Sequence, residues 1–155
     1  MAEQTHNQEA IRGLGEDDAF FSAIGRFIFQ FSQLEYSLKV TVAEAVRLPD
    51  EHFNAIMTHD FALLCTMAQN VFSKYSNKDR IDDVIGKIRK LNEDRVRIVH
   101  GLWVVSIEGG KLHHVSRNSL RQRFHFDQPR GVEIGRLADL ASQLRWEWEQ
   151  VIWNI

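Results

Sequence analysis

Cysteine is nearly missing from this chain, with Cys65 the single one among 155 residues. An intrachain disulfide is therefore excluded, as is a cysteine-based metal finger, and a reducing, cytoplasmic setting is expected. Proline is also scarce, occurring at Pro49 and Pro129 only. No apolar run approaches the ~20 residues that a membrane-spanning helix needs, so no membrane partner is expected. Charge of one sign is lacking as well. A net charge of −2 argues against a protein that coats DNA by bulk charge. Residues 1–18 are polar and lack the basic start and apolar run of a signal peptide. Neither a nucleotide-binding glycine loop nor a Ser-His-Asp arrangement occurs. His113 and His114 are strand neighbours that point to opposite faces, and no carboxylate–histidine pair has convincing ligand spacing on an inward face. No metal and no cofactor are expected.

The composition that is present, 44% hydrophobic, fits one domain able to bury roughly 70% of its unfolded surface. Residues 1–15, with Gly13 and Gly15, read as a flexible N-terminal arm, and residues 16–155 as a single domain. From Glu16 to about Val46, Phe20, Ile24, Phe27, Phe31, Leu34, Leu38 and Val42 recur at helical spacing until Pro49 ends the pattern. A second helix is expected over residues 60–75. A third should run from about Lys78 to His100, with Asn77 as its N-cap and Gly101 as its stop. The period then changes. Trp103–Ile107 and Lys111–Val115 flank Glu108-Gly109-Gly110, which predicts a β-hairpin over about 103–116, with Ile107 facing Leu112 and Glu108 facing Lys111. Arg121–Phe126 could add a strand, and a last helix should cover about Val132–Trp153. The expected fold is mainly α, a four-to-five-helix bundle with a small β-hairpin between the third long helix and the C-terminal helix.

Two charges fall where apolar residues belong. On a wheel of 100° per residue, Arg95 lies within the stripe Ile81, Val84, Ile85, Ile88, Leu91, Ile98 and Val99, with Asn92 one turn earlier. Arg97 lies on the wet side. In the first helix Glu35 sits inside the apolar face. Lone buried charges cost several kcal/mol, so Glu35 and Arg95 are expected to meet, directly or through Asn92. Such a pair would either fix helix docking or orient the arginine towards a cleft.

Arg95 precedes His100 by five positions, which places a fixed cation and a titratable base at one helix end, about 7.5 Å apart along the axis and about 140° apart around it. Arg47 and His52 share the spacing, but Pro49 between them breaks any helix. The alternative role for His100 is to cap the helix C-terminus, where the dipole favours a cation.

Arg95-Val96-Arg97-Ile98-Val99-His100-Gly101 resembles the signature of HEPN-type domains (higher eukaryotes and prokaryotes nucleotide-binding). In these, an arginine, four to six residues and a histidine close a late helix, often as R-N-x-x-x-H-G. The stretch Phe27–Leu38 also looks like the first helix of related bacterial proteins. The resemblance implies a helical bundle, a homodimer in which two motifs share one cleft, and a metal-independent endoribonuclease of a toxin–antitoxin or phage-defence system. In that setting Arg95 and His100 would be catalytic, and Glu35 and Asn92 would orient them. Val96 stands where a polar residue usually follows the arginine, and Asn92 is the candidate substitute. Other members of the family are non-catalytic binding or scaffold modules.

Between Lys111 and Arg130 five basic residues face one acid, Asp127. Arg117, Arg121 and Arg123, interleaved with Phe124, His125 and Phe126, together with Arg97, are the candidate RNA-binding residues. A solvated basic surface is the other reading. Trp146 and Trp153, seven apart and facing away from the inner stripe, suggest a surface for an antitoxin or other protein partner, or packing beneath the hairpin. Cys65 falls on a buried stripe and reads as core. Two functions follow: a dimeric HEPN-like ribonuclease, or a non-catalytic HEPN-like module that binds RNA or protein.

Overall fold

Each stretch with apolar residues at helical spacing is a helix in the computed structural model, which describes the backbone of residues 2–53, 60–105, 112–118, 123–127 and 131–154. Side chains are described for residues 18–53, 60–101 and 131–154. The chain is mainly α-helical, with α1 (Ala2–Ala45), α2 (Phe61–Phe72), α3 (Lys78–His100) and α4 (Gly131–Trp153), and a 3-10 turn at Asp50–His52. Residues 2–15, expected as a flexible arm, carry helical backbone continuous with α1. Gly13 and Gly15 each cost only about 1 kcal/mol inside a helix, too little to stop one.

The helix ends show how the sequence is punctuated. Past the end of α1, Arg47 adopts a left-handed φ of 54°. Its N–H donates to the Glu44 carbonyl and the Leu48 N–H to the Ala43 carbonyl, at 3.0 and 2.9 Å. This is a Schellman closure with arginine where glycine is usual, and Pro49 follows it. Asp60 caps α2 by accepting from Ala62 N at 2.8 Å and Leu63 N at 3.4 Å. Asn77, expected to cap α3, makes no such bond. Its amide Nδ2 instead donates to the Val151 carbonyl at the end of α4, at 2.8 Å. Gly101 ends α3 in extended backbone, φ −73° and ψ 154°, so the chain passes directly into a strand.

Side-chain pairs fix the helix directions. Arg26 meets Asp139 and Ser37 meets Glu149, so partners advance together along α1 and α4, which therefore run parallel. Lys87 reaches Glu147 while Asn77 reaches Val151, making α3 antiparallel to α4. Gln69 reaches Asp82 while Arg89 bonds Thr66, making α2 antiparallel to α3. The main packing partner of α1 is α4, and α1 meets α3 only sparsely across the bundle. One core joins all four helices through Phe27, Phe31, Leu34, Leu38, Leu64, Ile85, Ile88, Leu91, Leu144 and Trp148.

Backbone strands β1 (Leu102–Val105), β2 (Leu112–Asn118) and β3 (Arg123–Asp127) form an antiparallel ladder in that order. The compact hairpin with a two-glycine turn is not supported. The ladder sets Val105 opposite Leu112, two residues away from the register that paired Ile107 with Leu112. Strand alternation allows both registers, since a slip of two keeps every side chain on its face. The expected Glu108–Lys111 pair lies outside the described residues.

Candidate functional site

Arg95 projects from the fifth turn of α3, at the same angular position as Ile88 and Ile81. Those isoleucines are fully covered, whereas Arg95 is half-buried. Its guanidinium carbon stands 5.4 Å from the centroid of the Phe31 ring, within cation–π range. The ring packs against two others, with Phe27 edge-on at 6.2 Å and Phe61 at 4.8 Å. Among the described residues, no hydrogen bond or ion pair engages the Arg95 guanidinium.

The expected Glu35–Arg95 pair does not form. Glu35 accepts from Lys39 at 2.6 Å, and Lys39 is the charged residue in the bundle whose side chain is only 7% exposed. The reason is local. A glutamate followed four residues later by a lysine is the favourable helix orientation, one turn apart on one face. Arg95 lies on a helix that α1 meets only sparsely. Glu35 is thus a partner of Lys39, and an orienting contact from Glu35 to Arg95 is absent among the described residues. Lys39 was not singled out in the sequence, although the Glu35–Lys39 spacing was legible there. Phe31 was read as core and not as the seat of a cation.

Asn92 lies one turn before Arg95, with its Oδ1 buried and without a hydrogen-bond partner. A buried unpaired carbonyl oxygen costs about 1–3 kcal/mol. His100 is exposed at the C-terminal end of α3. No hydrogen bond of its side chain to the last carbonyls occurs among the described residues; the Gly101 N–H closes the helix onto the Arg97 carbonyl. Val96 and Val99, 42% and 41% exposed, lie beside these polar groups. The helix end therefore offers a seated planar cation, an orphan amide oxygen, an exposed imidazole and two uncovered valines. A ring contact takes up no N–H donor, so the Arg95 donors, without a partner among the described residues, can meet a phosphate.

The other candidates divide. Arg97 is exposed and pairs with Asp94 at 3.2 Å. Arg117 stands opposite Phe124 in the ladder and Arg123 opposite Asn118, so these two arginines are not cross-strand partners. Arg121 and the side chains of the basic segment lie outside the described residues. Arg47 and His52 follow α1 at the end of the bundle away from Gly101, both exposed. Trp146 and Trp153 are exposed on α4, the latter at 84%, and Phe29 and Tyr36 on α1 are exposed as well. Cys65 is buried in the core, and burial pushes its thiol up to about 11. Among the described residues, no group of three His, Cys, Asp or Glu side chains converges as metal ligands, and no helix is long and apolar enough to cross a membrane.

No protein-family model, curated protein or solved structure matches this chain. The likeness to HEPN domains therefore stands on Arg95, His100, Gly101 and the helical pattern.

Proposed function

We propose that this chain is a HEPN-like, metal-independent endoribonuclease that acts as a homodimer in the cytoplasm, in a toxin or phage-defence setting. The observation that carries the reading is the Arg95 guanidinium, without an ion-pair partner among the described residues, on the helix that ends in an exposed His100. A cation that pairs with no carboxylate among the described residues is suited to an anion brought from outside. In the proposed reaction the ribose 2′-oxygen attacks the adjacent phosphorus and gives its proton to His100 of one subunit. The bond to the 5′-oxygen breaks, and that oxygen takes a proton from His100 of the partner subunit. Arg95 neutralises the charge that builds on the phosphorane oxygens. The products are a 2′,3′-cyclic phosphate and a free 5′-hydroxyl. Arg97, Arg117, Arg121 and Arg123 would hold flanking phosphates.

The test is cleavage of a mixed RNA in EDTA, with light scattering to report the dimer. Wild type should cut, and His100→Ala and Arg95→Ala should each lose at least about 100-fold in rate while remaining dimeric. Cleavage undiminished in both variants, or a monomeric wild type that cuts, sinks the composite site. The exposed Phe29, Tyr36, Trp146 and Trp153 favour a second reading, a non-catalytic module that docks a protein partner. A folded wild type that cuts no RNA selects it.

A further inference from the structure

We infer that Phe31 is a positioning residue for RNA phosphate: its buried ring holds the Arg95 guanidinium within cation–π range and leaves the N–H donors to the ligand. The inference rests on the ribonuclease reading and adds to it a residue from another helix. Phe31 is almost fully covered, and the rings of Phe27 and Phe61 prevent it from following Arg95 if the arginine moves. The seat is therefore stiff. A carboxylate in the same place would also hold Arg95, but it would occupy the N–H donors and cancel the charge. Glu35, one turn along α1 from Phe31, does not do so; its oxygen is taken by Lys39 at 2.6 Å. An aromatic face orients the cation through its quadrupole while consuming no donor. Phe31 touches no substrate in this scheme; it acts through Arg95.

Two measurements on the full-length chain test the seat and its consequence separately. The first is the Arg95 Nε–H proton resonance, assigned by its loss in Arg95→Lys. It should lie upfield through the Phe31 ring current in wild type, and in Phe31→Tyr, and return to the usual position in Phe31→Leu. The second is binding of a short fluorescein-labelled 2′-O-methyl RNA, which cannot be cleaved. Phe31→Leu should bind roughly three- to thirtyfold more weakly, and Phe31→Tyr as wild type. In an Arg95→Ala background, Phe31→Leu should cause no further loss, an outcome that general loosening of the core would not give. An unshifted wild-type resonance overturns the seat even if Phe31→Leu fails to fold. Equal affinity of folded wild type and Phe31→Leu overturns the consequence. A shifted resonance in a wild type that binds no oligonucleotide overturns the ribonuclease reading and reduces Phe31 to packing.

Discussion

The two ends of α3 obey opposite rules. Through its first turns, Ile81, Val84, Ile85, Ile88 and Leu91 are covered, and the charges beside them are matched: Lys78 with Asp82, Lys87 with Asp83 and Glu147. Through its last two turns the same angular stripe, while still burying Ile98, also carries Asn92, Arg95 and Val99. There, among the described residues, an amide oxygen is buried without a partner, a guanidinium meets a ring but no acid, and a valine is left open. Local consistency is what a sequence needs in order to fold, and departures from it collect where function demands them. The first end is built mainly for stability, although the Oδ1 of its cap residue Asn77 is likewise buried without a partner among the described residues. The second carries costs that stability does not explain.

The largest test of that contrast is truncation along one stripe. Ile88→Ala should cost about 2–5 kcal/mol, because a fully covered side chain leaves a cavity. Val99→Ala, about three turns further on and exposed, should stay within about 0.5 kcal/mol. Urea unfolding of both variants checks this, and comparable losses would mean that the stripe is one uniform packing surface.

Next in size is Asn92→Leu. Replacing an amide whose buried oxygen has no partner removes a desolvation penalty, so the variant should be about 1 kcal/mol more stable than wild type. Under the ribonuclease reading it should also cut RNA more slowly. A gain in stability with loss of cleavage is the trade expected of a functional position. A variant that is less stable than wild type would show that Asn92 is held by contacts this account omits.

Much of this was legible in the residues themselves. The four helices and their inner stripes follow from the period of apolar residues, because burial selects one face. The wheel overcounted Val99, because it cannot tell where the bundle stops covering a helix. The Glu35–Arg95 pair was misjudged for a related reason. Two charges on two apolar faces need not meet when a lysine stands one turn away from the acid on the same helix. The arginine's true neighbour, Phe31, is indistinguishable in sequence from the other stripe phenylalanines. Asn77 also looked like a cap for the helix that follows it, and only tertiary packing reveals that its amide serves the end of α4.

The smallest expected effect lies among the matched charges of the first end. Asp82 is held below the usual carboxylate range, chiefly by the hydrogen bond from Lys78 and then by the Gln69 amide. A depressed native pKa means that the folded state binds a proton less readily than the unfolded chain. The stabilisation is therefore present above the unfolded value of about 3.9 and is lost as pH falls through the lower native value. Wild type should melt slightly above Asp82→Asn at pH 6, and the gap should close as the pH drops below about 4. Because the pair is exposed, salt should shrink the same gap. A gap that persists unchanged in acid would assign the effect of the substitution to packing, and the charge matching at this end of α3 would then contribute nothing to its stability.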